Sequence, residues 1–156
     1  MSRVYLDTSV LGRSLLGEPD KPAIERALET FATRVASSLL RVELRRLGLR
    51  HNMLGQVDSL LAGVSLVPLD EKILAEAETL EPSTVATLDA IHLATAISLS
   101  KEGKLDALMT YDKQLADGAR EHGIRVVAPG AEPGDETDSA PEETGADKLD
   151  TGASTA

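Results

Sequence analysis

The chain contains no cysteine, which excludes disulfide scaffolds, thiolate zinc sites, thiol nucleophiles and iron–sulfur clusters. Only oxygen and imidazole ligands remain for any metal. Aromatic residues are almost missing: Tyr5, Tyr111 and Phe31 are the whole set. A base-stacking platform of the kind that holds single strands is therefore not expected. Long hydrophobic runs are absent too, and no stretch approaches the roughly 18 apolar residues of a membrane span. Met1-Ser2-Arg3 leads directly into a strand-like segment without the apolar core of a signal peptide, so a cytoplasmic protein with no membrane contact is expected.

What is present suits one folded domain of 156 residues with 42% hydrophobic content. The net charge of −10 seems to argue against a nucleic-acid partner, but it is unevenly spread. From Gly130 onward stand Glu132, Asp135, Glu136, Asp138, Glu142, Glu143, Asp147 and Asp150 against Lys148 alone, a net of −7. The preceding body therefore carries only −3, the remainder of that −10. With Leu149 as its only large apolar residue, the segment 130–156 cannot bury enough surface to offset its ordering entropy and reads as a disordered acidic tail. Such a tail either competes with an anionic substrate for basic residues such as Arg41 and Arg45, or is a solvated extension without a role.

Within 1–129, strand and helix patterns alternate. Val4 to Leu6, Arg34 to Ala36, Val64 to Pro68, Ala107 to Thr110 and Ile124 to Val127 read as strands. Helices are expected from Asp7-Thr8-Ser9 toward Leu16, from Ala23 to Phe31, from Leu39 to Arg50 and from Asn52 to Ala62. Three more follow: after Asp70 to Leu80, from Thr87 to Ser100, and from Lys113 to His122 with Gly123 as a stop. This alternation predicts an α/β fold, a mainly parallel central sheet with helices on both faces. In such sheets ligands bind outside the carboxyl ends of the strands, where the strand order reverses.

Four acids stand out against this pattern. Asp7 closes the first strand, Asp112 follows Ala-Leu-Met-Thr-Tyr, and Glu43 and Asp89 lie in segments that otherwise read as core-facing helix. A carboxylate withdrawn from water costs several kcal/mol, and neighbouring like charge adds to the cost. A hard divalent cation, Mg²⁺ or Mn²⁺, would offset it and bridge to a substrate phosphate. Each acid also has a simpler reading. Asp7, Asp89 and Asp112 each adjoin a helix start and could be N-caps, while Glu43 could be a surface residue paired with Arg46 or Arg50. His92, three residues after Asp89 and flanked by Ile91 and Leu93, reads as a packed, hydrogen-bonded histidine before it reads as a ligand. Thr8, Ser9 and Thr110 flank the acids and could bind a metal-held water or the scissile phosphate, or simply cap; Ser9 and Thr110 are candidates only to support the acids from behind.

Four segments in combination, Val4-Tyr5-Leu6-Asp7-Thr8-Ser9, Ser37-Ser38-Leu39-Leu40-Arg41-Val42-Glu43, Leu88-Asp89-Ala90-Ile91-His92-Leu93-Ala94-Thr95-Ala96 and Met109-Thr110-Tyr111-Asp112, resemble the PIN-domain family and, within it, the VapC-type toxin ribonucleases. Their order and spacing agree from about Arg3 to Pro129, while the acidic tail lies outside the family pattern. The resemblance implies a three-layer α/β/α fold whose acidic quartet, here Asp7, Glu43, Asp89 and Asp112 without substitution, holds Mg²⁺ or Mn²⁺ and cleaves RNA. It further implies a homodimer and a cognate antitoxin protein that covers the acidic groove. The competing expectation is a non-catalytic interaction module that binds an antitoxin. Phosphate transfer on an aspartate is disfavoured, because Asp7 is followed by Thr8 and Ser9 without a second Asp two residues on.

Overall fold

The computed structural model describes residues 2–131. The expected tail therefore falls, from residue 132 onward, outside the described residues, and the elements below belong to the body alone.

In chain order these are β1 (Arg3–Leu6), α1 (Thr8–Leu15), α2 (Lys21–Glu29), β2 (Thr33–Ser37), α3 (Ser38–Arg50), α4 (Leu54–Leu61), β3 (Ser65–Val67), α5 (Glu71–Glu78), α6 (Thr87–Lys101), β4 (Ala107–Met109), α7 (Lys113–Glu121) and β5 (Val126–Val127). All strand pairings are parallel, in the order β3-β2-β1-β4-β5. The three-layer α/β/α architecture expected from the alternation is thus present. β1 is at the centre and buried on both sides, which is why it reads as an unbroken apolar run rather than an alternating one. Its Val4 and Leu6 join Val10, Leu11, Ile24, Leu40, Leu44 and Val57 in the core beneath α1 to α4. Tyr5 points the other way, into the core built by Val85, Leu93, Ile97, Leu108, Leu115 and Ala119 of the opposite layer.

Local signals fix the helix ends. Ser37 accepts from Leu39 N–H at 3.1 Å, Asp70 from Ile73 N–H at 2.9 Å and Asp112 from Leu115 N–H at 2.8 Å, so each caps the helix that follows it. Gly123, at φ +76°, supplies the left-handed residue that ends α7. α7 itself lies close on α6 at Gly118, where an added Cβ would meet Val85 Cγ2 at 3.0 Å and Leu93 Cδ2 at 3.1 Å.

The chain winds outward from β1 through β2 to β3, then returns to β4 on the other side of β1. The strand order therefore reverses between β1 and β4. Their last register pair is Leu6 with Met109, and Asp7 N–H still donates to Met109 O at 3.2 Å. Just past that level the two strands part, and a reversal of this kind leaves a crevice at the carboxyl ends, with Asp7 on one side of it and Thr110 to Asp112 on the other. No described helix is long and apolar enough to cross a membrane.

Candidate active site

Asp7 has the extended backbone of a helix N-cap but does not cap. Its carboxylate, 3% exposed as a residue, instead turns across the crevice, and Oδ2 accepts the hydroxyls of Ser9 at 2.7 Å and Thr110 at 2.8 Å. Both hydroxyls are themselves held: Ser9 Oγ accepts Tyr111 N–H at 3.0 Å, and Thr110 Oγ1 accepts Asp112 N–H at 3.0 Å. Ser9 and Thr110 thus stand behind Asp7 and tie the ends of β1 and β4 together. The bonds fall on Oδ2, and Oδ1 faces His92 Nε2 at 3.9 Å.

Glu43 reaches the same crevice from α3. Neither Arg46 nor Arg50 pairs with it; its Oε1 accepts from Thr8 Oγ1 at 2.8 Å and from His92 Nε2 at 2.6 Å. His92 is fully buried on α6, and its other nitrogen, Nδ1, lies 2.7 Å from the Tyr5 hydroxyl. Ser37 N–H donates to that hydroxyl at 3.0 Å. Burial pushes the Tyr5 phenol far above its ordinary range, so it stays protonated and aims its hydrogen at Nδ1. A neutral imidazole with Nδ1 so occupied carries its proton on Nε2, and an imidazolium presents an N–H there as well, so the hydrogen bond to Glu43 is donated by His92 in either state. Burial alone would raise the Glu43 carboxyl, but the His92 hydrogen bond and charge, with the Thr8 hydrogen bond, outweigh it and hold the group below the ordinary glutamate value.

Asp89 does not cap α6 either. Ala86 occupies that position, and Asp89 lies in the first helical turn. Burial, followed by the negative charges of Asp7 and Asp112, pushes its carboxyl up to about 6; His92 opposes this and Glu43 adds to it. Asp89 is therefore close enough to feel the charge of each of the other three acids. Asp112 alone behaves as its simple reading predicts, capping α7 with Oδ1 while lying at the same crevice.

The donor set is all oxygen plus one buried imidazole, which suits a hard divalent cation rather than a thiophilic one. Even so, among the described residues no three His, Asp or Glu side chains are set at ligand spacing. The crevice gathers the carboxylates into one electrostatic field without drawing them into a closed cage. Tyr5 is the residue that the sequence did not place at this site. Thr8 was expected there only as a flanking hydroxyl, and His92 only as a packed histidine with an i+3 spacing from Asp89.

Fold and crevice together define a doubly wound α/β protein with an acidic cleft at its strand-order switch. The chain belongs to the PIN-domain family, whose model matches residues 4–121. It is 38% identical over 135 residues to Ribonuclease VapC47 of Mycobacterium tuberculosis (strain CDC 1551 / Oshkosh), covering 82% of this chain and 98% of that protein. To Ribonuclease VapC46 of Mycobacterium tuberculosis (strain ATCC 25618 / H37Rv) it is 37% identical over 131 residues, covering 83% and 99%. Among solved structures, a toxin–antitoxin complex from Klebsiella pneumoniae superposes with a TM-score of 0.63 at 20% identity, covering 81% of this chain and 97% of that one. Mycobacterium tuberculosis VapC20, a Sarcin-Ricin loop cleaving toxin, superposes at 0.62 with 15% identity, covering 81% and 99%. At such identities the structural likeness speaks for the fold.

Proposed function

We propose that this protein is a divalent-metal-dependent endoribonuclease, the toxin of a toxin–antitoxin pair, that hydrolyses RNA phosphodiester bonds at Asp7, Glu43, Asp89 and Asp112. The observation that carries the reading is the excess of negative charge at the strand-order switch, felt most at Asp89, whose carboxyl is pushed up to about 6 by burial and by its acidic neighbours. That excess suits a Mg²⁺ or Mn²⁺ ion and the phosphate such an ion brings with it. The ribonuclease names of relatives at 37–38% identity support the same activity.

Asp7 and Asp89 would hold the ion, with Asp112 lending the carboxylate oxygen its cap leaves free. When bound, the ion lowers the pKa of its water and stabilises charge on the phosphoryl oxygens. Ser9 and Thr110 fix the Asp7 carboxylate by holding Oδ2, so that Oδ1 keeps its direction. Glu43, kept ionised by His92 and Thr8, would orient the attacking water and take up its proton. No nucleophilic serine or cysteine is needed, because water attacks the phosphorus directly as the bond from phosphorus to the departing ribose oxygen breaks, that oxygen taking a proton from solvent.

Toxin–antitoxin complexes among the structural neighbours support an antitoxin protein as partner, and a homodimer is part of the same proposal. The test is to incubate purified full-length protein with total RNA in Mg²⁺, Mn²⁺ or excess chelator and to map the cut ends. Discrete metal-dependent cuts are expected. RNA left whole in both metals, or cut equally in chelator, would overturn the proposal.

A further inference from the structure

Outside the acidic crevice, the most unusual surface is the outer face of α3. Between 41 and 50 the helix carries Arg41, Arg45, Arg46 and Arg50 against Glu43 alone, and Glu43 turns inward to His92. Set among these arginines is an apolar groove of about 570 Å³ lined by Ser38, Val42, Leu49 and Leu54 with the stems of Arg41, Arg45 and Arg46. Val42 is 59% exposed and Leu49 57%, unusual for aliphatic residues on a helix whose other side is core. Arg45 pairs with Asp58 of α4, whereas Arg41, Arg46 and Arg50 have no ion-pair partner among the described residues. The groove thus offers an apolar floor and a rim of uncommitted positive charge.

One segment of this chain has the complementary chemistry. Glu132 to Asp150 carries eight acids and one base, and its only large apolar residue, Leu149, stands between that base, Lys148, and Asp150, with Asp147 one residue further back. The chain also leaves the body on the right side of the sheet. Tyr111 OH donates to Pro129 O, and Gly130 lies against Asp20 and Ala23 at the start of α2. α2 shares its core with α1 and α3. Reach is no obstacle: the 25 residues from 132 to 156 span up to about 80 Å when extended, against a radius of gyration of about 14 Å for a body of this size.

We propose that the acidic segment 132–150 docks on the outer face of α3 of its own chain, seating Leu149 between Val42, Leu49 and Leu54 and its carboxylates against Arg41, Arg46 and Arg50. The docked segment places negative charge beside the crevice that Glu43 enters. If the cleavage reading above is right, it also withholds those arginines from RNA phosphates, making the segment a built-in brake that salt or a stronger polyanion releases. The docking itself does not depend on that reading.

The absence of cysteine makes the test clean, since Thr144→Cys in the full chain gives a single attachment point for a nitroxide label. Amide signals of ¹⁵N-enriched protein are recorded with the label paramagnetic and reduced. At low salt the signals of residues 41–50 should be at least halved by the paramagnetic label. They should recover at about 1 M salt, where the screening length falls to about 3 Å. Recovery should also follow Leu149→Gln, a change outside the folded body, and combined Arg41→Gln and Arg46→Gln. Unchanged intensities along α3, or attenuation that survives all three treatments, would overturn the proposal. So would attenuation that appears only when labelled, unenriched chain is mixed with enriched, unlabelled chain, which would give the face to a second copy. Shifts in α3 on adding an RNA oligomer, in a chain whose tail leaves α3 untouched, would give it to RNA. None of these readouts needs metal or cleavage, so failure of docking and failure of the nuclease reading are separate results.

Discussion

Glu43 and Asp89 face one crevice from two helices, and they are driven in opposite directions. Both are partly buried, and burial alone would raise both. Glu43 has donors aimed at it, His92 at 2.6 Å and Thr8 at 2.8 Å, and its carboxyl is lowered. Asp89 receives no hydrogen bond among the described residues and feels Asp7 and Asp112, and its carboxyl rises to about 6. The fold therefore satisfies one half of its acid cluster from within and leaves the other half to be satisfied from outside. A cation or a proton is what that second half lacks.

The sharpest break in the comparison comes at Asp7, which stands between the halves. Asp7→Asn keeps an amide oxygen where Oδ2 now accepts the Ser9 and Thr110 hydroxyls, so the crevice should keep its shape. It removes the charge that Asp89 feels most after burial. RNA cleavage is expected to fall about 10³-fold, the several kcal/mol of transition-state charge stabilisation supplied through a metal, with circular dichroism unchanged. A variant that cuts at the native rate would remove Asp7 from the site.

His92→Leu turns the first half into a copy of the second. Glu43 loses its nearest donor while Leu fills most of the ring's volume, and cleavage should fall about 10–100-fold, as for groups that orient a functional side chain. Carboxyl ¹³C titration should show Glu43 moving upward toward the behaviour of Asp89. If its titration stays where it was, the contrast between the two acids has another origin.

How far this contrast was legible in the sequence depends on how local each cause is. The strands, and the caps at Ser37, Asp70 and Asp112, were legible because apolar runs and turn residues act within a few positions of themselves. The convergence of four acids could be anticipated from the burial each would suffer at a strand end or on an apolar helix face. The partners could not. Tyr5 meets His92 across 87 positions and His92 meets Glu43 across 49, and no helical or strand period encodes such a meeting. For the same reason Asp7 looked like a cap: its Asp-Thr-Ser context is local, whereas the Thr110 hydroxyl that claims its carboxylate comes from 103 residues away. The packed-histidine reading of His92 was right about its burial and silent about the carboxylate it serves.

Tyr5→Phe tests whether the satisfied half is built from the core outward. The change strands Ser37 N–H without its acceptor and His92 Nδ1 without its donor, both in the interior, and should cost about 1–3 kcal/mol of unfolding free energy in denaturant titrations. It touches no carboxylate, so Asp89 should titrate as before. A variant as stable as the native protein would mean that the phenol does not anchor the imidazole.

The smallest effect lies in the unsatisfied half and appears only in chelator. The Asp89 carboxyl holds its proton to about 6 when folded, against 3.8 when unfolded, so over that window the folded state binds more protons. By linkage, its contribution to stability is intact below pH about 4, declines as pH rises toward about 6 and is level above. Because the group is only half-buried, screening by solvent leaves a loss on the order of 1 kcal/mol, read as the difference between native protein and Asp89→Asn in parallel melts. The variant should be the more stable of the two above pH about 6, with the advantage vanishing toward pH about 4. Saturating Mn²⁺ should reverse the order at neutral pH, since ligand binding stabilises the native chain by about 2.7 kcal/mol at a hundredfold excess over Kd. If Asp89→Asn gains as much from Mn²⁺ as the native chain does, the unmet charge at Asp89 is not what recruits a cation.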